Sequence, residues 1–259
     1  MIRKKIRYNK KFMRLILLAI VLTFAACSQF KSSTRSKEEN QKLIVEAQTQ
    51  NVINALQQKP AWLFTGDACP ADVMPETQLG IAYLGEGCAD NPDKCLNKCR
   101  ENDANACYAL AVLLDEKLVY EKKELNKETT PPLYLRACKL GIVSGCTNYA
   151  ASKTDFAKMD AATAACVANS FEKTCAKDDA WGCNMYGQVL GLGVGRPLDT
   201  TKALETFQKA CSVSDADDPA CVESRELEQI IRNGQSGANA NVNNSKVNGI
   251  NSNAKVKKP

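Results

Sequence analysis

The sequence predicts an all-α fold: a stacked array of antiparallel helix pairs, each clamped by a disulfide. Four cysteine pairs carry this reading: Cys99/Cys107, Cys138/Cys146, Cys175/Cys183 and Cys211/Cys221, eight residues apart in the first three and ten in the last. Their second members follow one another at intervals of 39, 37 and 38 residues. A fixed period of this size marks a repeat array, in which each unit buries its apolar face against its neighbours. The third observation is that turn-forming residues stand between the cysteines of the last three pairs: Gly141 and Gly145; Asp178, Asp179 and Gly182; Asp215 to Pro219.

The turn is required by geometry. Eight residues along one helix separate two Cα atoms by ~12 Å, whereas a disulfide needs roughly 4.4–6.8 Å. Each pair therefore joins the end of one helix to the start of the next. Zinc is the competing use of paired cysteines, but structural zinc favours ligands two to four residues apart, often with histidine. The chain has no histidine, and only Cys95/Cys99 come that close. Cys69, Cys88, Cys95 and Cys166 lie outside the regular pairs; they allow three connectivities, and sequence does not choose among them.

From the N-terminus, residues 1–14 carry seven Lys/Arg and no acid, followed by the 12-residue apolar run Leu15 to Ala26. That run is too short for a membrane span and suits the core of a signal peptide. It ends at Phe24-Ala25-Ala26-Cys27, which resembles a bacterial lipobox, with Phe24 where leucine is usual. The resemblance implies a lipoprotein signal peptide over 1–26 and lipidation of Cys27. It also implies sorting to an outer membrane, since Ser28 rather than Asp follows that cysteine. The expected location is then the bacterial cell envelope, lipid-anchored at the outer membrane and facing the periplasm. An even 12 cysteines remain, as suits an oxidising compartment.

Residues 27–35 form the lipidated tether and 36–75 an N-terminal helix and cap. Ser36 and Glu39 make a capping-box pattern; Ile44, Val45, Val52, Ile53 and Leu56 recur at helical spacing; Pro60 ends the helix. The repeat array occupies 76–232. The tail, 233–259, holds eight asparagines and cannot bury enough apolar surface to fold, so it is expected to be disordered. Net charge follows these divisions. The chain is +5 overall, but without the leader's seven basic residues 27 remain against 29 acids, and without the tail's four lysines the body stands at 23 against 29. Such a body offers no footprint for nucleic acid.

Aligned on the cysteines, the units share further positions. Four residues before the first cysteine stand Cys95, Tyr134, Phe171 and Phe207; two before it, Asn97, Arg136, Lys173 and Lys209. Three residues after the second come Leu110, Tyr149, Tyr186 and Ser224; four after it, Ala111, Ala150, Gly187 and Arg225. The aromatic belongs to a packing face, the small residue admits a neighbouring helix, and Arg225 suits the polar outer side of a terminal unit. Tyr149 and Tyr186 fit the core better than a groove lining. From Cys183 to Cys211, Gly187 lies inside a helix, Gly191 and Gly193 end it, Asp199 caps the next, and Ala203, Leu204, Phe207 and Ala210 form its inward stripe.

This unit resembles a Sel-one-like repeat, a relative of the tetratricopeptide repeat. It reads small-x-x-aromatic-Gly, then Gly-x-Gly-Val, Asp-x-x-Lys-Ala and aromatic-x-Lys-Ala. With cysteines eight apart it further resembles the bacterial cysteine-rich members of that class. The likeness is fullest over Cys183–Cys221 and partial over Thr77–Cys99, whose second helix is about a turn short. It is faint over 107–175, where lysine-rich sequence from Lys117 to Lys127 replaces the Gly-x-Gly turn. It implies a right-handed superhelical solenoid of helix pairs that binds an unidentified protein or peptide partner as a scaffold.

The cysteine-rich relatives are also labelled β-lactamases or penicillin-binding proteins, which makes a β-lactam-binding protein or weak β-lactamase the alternative. Those enzymes use Ser-x-x-Lys with Ser-Asp-Asn and Lys-Thr-Gly elements. Three Ser-x-x-Lys strings occur, at Ser28, Ser170 and Ser252, and neither companion motif does. Only Ser170, with Lys173, falls in the folded body. Without histidine, a Ser-His-Asp triad and histidine-bound catalytic zinc are excluded, and no Cys-x-x-Cys supports redox exchange. The carboxylates Asp178/Asp179 and Asp215/Asp217/Asp218 are expected as solvated turn formers. No catalytic residue, cofactor or metal is expected.

Overall fold

A computed structural model describes residues 36–81, 87–120 and 126–237. The leader, Cys27, the tether and the tail beyond 237 lie outside them. Every element among the described residues is a helix. The chain divides into two compact units at Gln48/Thr49. Helix α1 spans 36–57, so its first part, with Leu43 and Ile44 exposed, belongs to the first unit. The remainder belongs to the second, where Val52, Ile53 and Leu56 are buried.

The second unit continues with α2 (Pro70–Val73), α3 (Pro92–Arg100), α4 (Ala104–Tyr120), α5 (Asn126–Thr129), α6 (Pro131–Lys139), α7 (Val143–Ser152), α8 (Ala161–Ala176), α9 (Ala180–Leu192), α10 (Thr200–Ser212) and α11 (Pro219–Gly237). Bridges Cys99–Cys107, Cys138–Cys146, Cys175–Cys183 and Cys211–Cys221 join α3 to α4, α6 to α7, α8 to α9 and α10 to α11, with Cα–Cα distances of 4.6, 4.6, 4.3 and 4.5 Å. The other four cysteines pair as Cys88–Cys95 and Cys69–Cys166. All twelve cysteines after Cys27 are thus bridged.

Asp160, Asp179 and Asp199 cap α8, α9 and α10, each accepting the amide three residues on. Such caps satisfy amide donors that a helix N-terminus leaves unpaired. Gly193, at φ +67°, terminates α9, whereas Gly191 lies inside the helix. Tyr134, Phe171 and Phe207 are fully buried, and so are Ala111 and Ala150 one turn past their cysteines. Gly187 is small for a reason: a Cβ there would come within 2.5 Å of the Phe207 ring. The core forms two clusters that meet within α7, one ending at Tyr149 and the other starting at Ala150.

The basic residue two positions before the first cysteine links one pair to the preceding one. Arg136 donates from Nε to the Cys99 carbonyl at 3.1 Å, and Lys209 donates to the Cys175 carbonyl at 2.8 Å. Both acceptors lie in the last turn of a helix, where carbonyls lack intrahelical partners and cations are favoured. Lys173 departs from the pattern and donates to the Ala71 carbonyl.

That departure exposes what the sequence did not show. Residues 58–81, expected as an irregular cap running into the first repeat helix, form a largely non-helical strap laid on the array. Arg136 grips its start through the Trp62 carbonyl at 2.8 Å, with the Arg136 and Arg100 guanidinium groups 5.0 and 5.6 Å from the Trp62 ring. Cys69–Cys166 ties its middle to α8. Farther on, Lys177 donates to the Glu76 carbonyl and the Leu79 amide to the Gly141 carbonyl. Residues 77–81 are therefore not helical: their backbone serves tertiary acceptors instead of an i→i−4 ladder.

Candidate functional site: an acidic groove

Side chains of α4, α7 and α9 and of the turn between α10 and α11 surround a cavity of about 930 Å³. Helix α4 contributes Tyr108, Val112 and Leu113; α7 contributes Ser144, Thr147 and Asn148; α9 begins at the groove with Ala180 and Trp181. Each of these helices is the second of a clamped pair, so the groove repeats one structural position along the chain. The apolar residues Val112, Leu113 and Trp181 are half-buried, as befits a surface with some apolar area open to a ligand.

Four aspartates, Asp178, Asp179, Asp215 and Asp218, line the groove, and no lysine or arginine is among its described lining residues. They are not equivalent. Asp178, at φ +61°, is an exposed turn residue whose carboxylate lies 3.0 Å from Lys209. Asp218 caps α11 through the Ala220 amide, and Asp215 is exposed. Asp179 was expected as another solvated turn former and is instead a half-buried structural acid. It accepts from the Gly182 amide at 2.6 Å, from Thr147 at 2.9 Å, and from Ser144. Burial lifts its carboxyl above the ordinary value, the hydrogen bonds oppose that lift, and the charge of Asp218 adds to it. Tyr108 beside it is pushed well above the usual phenol range, first by burial and then by the charge of Asp179.

Tyr149 and Tyr186 are core residues with tethered hydroxyls, 3% and 5% exposed. Tyr149 donates to Asp67 at 2.9 Å, which together with Lys153 holds that carboxyl below its ordinary value. At Glu172, burial works upward but hydrogen bonds from Tyr186 and Arg196 win and lower it.

Ser170 is fully buried on α8. Its hydroxyl donates to the Cys166 carbonyl at 2.8 Å and accepts the Ala71 amide at 3.2 Å, while Lys173 is held by the Ala71 carbonyl. The pair fastens the strap and is not part of the groove. Ser28 and Ser252 lie outside the described residues. Among the described residues no group of three or more Cys, Asp or Glu is placed to hold a metal, and no helix is long and apolar enough to cross a membrane.

Comparison with protein-family models, curated proteins and solved structures found no match.

Proposed function

We propose that the protein is a lipid-anchored scaffold of the bacterial envelope, held at the outer membrane and facing the periplasm, that binds a protein or peptide partner through Sel-one-like repeats stacked as a right-handed solenoid. The observation that carries the reading is the groove, in which corresponding helices of successive clamped pairs present one continuous lining. Helical arrays bind along such surfaces. The links from the second clamped pair to the first through Arg136 and from the fourth to the third through Lys209 support the repeat reading. The six bridges suit an oxidising compartment. Ser170 and Lys173 are occupied by the strap, which leaves the β-lactamase alternative without a nucleophile.

The test places a photo-crosslinking phenylalanine analogue at Val112 or Leu113 in the groove, or at exposed Leu198 as control. Irradiation of intact cells should give discrete adducts from the groove positions only. The same adducts from Leu198, or none from the groove, would overturn the reading. Anchoring is tested separately: Cys27→Ala should abolish incorporation of labelled fatty acid.

A further inference from the structure

We infer that the groove is a docking site for the basic C-terminal segment of this same chain. The inference adds an occupant to the binding reading above and is tested apart from it. Charge complementarity is the first argument. The groove carries four aspartates and no cation among its described lining residues, while residues 233–259 carry Lys246, Lys255, Lys257 and Lys258 and no acid. Of those aspartates, Asp178 pairs with Lys209, and exposed Asp215 has no ion-pair partner among the described residues. A lysine near Asp218 would also offset the repulsion that Asp218 exerts on Asp179.

Reach is the second argument. Helix α11 leaves the groove at Pro219, next to Asp218, and its 19 residues run ~28 Å. From Ala238 to Lys255 the chain has 18 residues, enough to span ~60 Å when extended. A Gly/Ser-type linker of that length has an r.m.s. end-to-end distance of ~21–25 Å. This is comparable to the return distance, near the condition under which effective concentration is greatest, on the order of 1 mM. A segment with an intrinsic Kd of ~0.1 mM would then be docked in about nine molecules of ten.

Zero-length carbodiimide coupling of the purified full chain, at low salt and micromolar concentration, tests this directly by joining amines to carboxylates in contact. Lys255, Lys257 or Lys258 should couple to Asp215, Asp178 or Asp218 within monomeric protein, and 0.5 M salt should reduce the yield at least fivefold. Trp181 gives a second reading. Changing all four tail lysines to glutamine in the full chain should make tryptophan fluorescence about twofold more sensitive to acrylamide at low salt, with the melting temperature unchanged. Tail lysines coupled indiscriminately to surface acids, coupled only within dimers, or not coupled at all would overturn the inference, as would identical quenching in the two proteins. The binding reading is judged independently by whether the four-glutamine chain still yields groove adducts in cells.

Discussion

The strap is held by one covalent tie, and its loss should be felt more than the loss of a repeat clamp. Cys69 and Cys166 are 97 residues apart in sequence, against 10 for Cys211 and Cys221. In the chain-entropy treatment, closing a loop of ~100 residues contributes about 4.7 kcal/mol and a loop of ~11 about 2.8 kcal/mol. Three shorter bridges lie inside the large loop and shorten it by roughly 20 residues, which lowers its contribution to about 4.5 kcal/mol. Cys69, Cys166 and Cys211 are half-buried whereas Cys221 is fully buried, so packing lost at Cys221 narrows the difference between the two pairs. At ~2–4 °C per kcal/mol for a chain of this size, the Cys69→Ala/Cys166→Ala protein should melt ~9–18 °C below wild type. The Cys211→Ala/Cys221→Ala protein should fall ~6–11 °C. Circular dichroism melts of both under non-reducing conditions check the order. In the first variant the Ala71 amide should also exchange faster with solvent, because Ser170 then holds it without the covalent tie. A Cys69/Cys166 variant that melts at or above the Cys211/Cys221 variant would refute the argument that the strap closes the large loop.

Ser170→Ala should lower stability by about 1–3 kcal/mol in denaturant titrations, since it strips the Ala71 amide of its acceptor; a chromogenic β-lactam should meet only background hydrolysis by wild type and variant alike. Gly187→Ala should destabilise by about 1–3 kcal/mol through overpacking against Phe207, more than the ~1 kcal/mol of helix propensity it gains, and Phe207→Leu in the same chain should recover part of the loss. Tyr108 and Tyr149 are both held above the ordinary value of 10.0, first by burial. The folded state thus keeps protons that the unfolded chain releases, so this contribution is complete below pH 10 and lost as pH rises above it. Tyrosinate absorbance should accordingly show these two phenols ionising together with alkaline unfolding, not before it.

The clamps were legible because covalent geometry leaves little choice: two cysteines eight apart can meet only across a turn, and the turn residues stand between three of the four pairs. The aromatic and small-residue rows were legible for a similar reason: Tyr134, Phe171 and Phe207, and Ala111 and Ala150, stand at matching offsets from their cysteines and are all buried. Cys69–Cys166 was not legible. Its partners lie in different elements, off the repeat register, and a long loop carries no local geometric signature. A hint existed, since Cys88 and Cys95 flank the turn-prone Asp90-Asn91-Pro92 much as the regular pairs flank theirs; pairing them leaves Cys69 to Cys166. The strap's final stretch was misread because Leu79 and Gly80 fit the repeat pattern, and pattern alone cannot show that the Leu79 amide is committed to Gly141. The groove's acids were seen as turn formers, which holds for Asp178; Asp179 differs because Ser144 and Thr147, 35 and 32 residues away, enclose it.

The strap also bears on which surface of the array can bind. Helix α7 turns Ser144, Thr147 and Asn148 toward the groove, while Tyr149 and Lys153, a step round the helix, are taken by Asp67 of the strap. Helix α8 gives Cys166, Ser170 and Lys173 to the strap as well. These are elements of the stretch where the repeat pattern is faintest, and where Lys173 reaches Ala71 in place of the preceding pair. The strap thus supplies contacts to α8 where Arg136 and Lys209 supply them between the other helix pairs. It consumes the surface it covers, and it leaves the Tyr108–Trp181 side open. That side carries Asp178, Asp179, Asp215 and Asp218 together with Trp181, so a ligand entering the groove meets negative charge and one large aromatic ring.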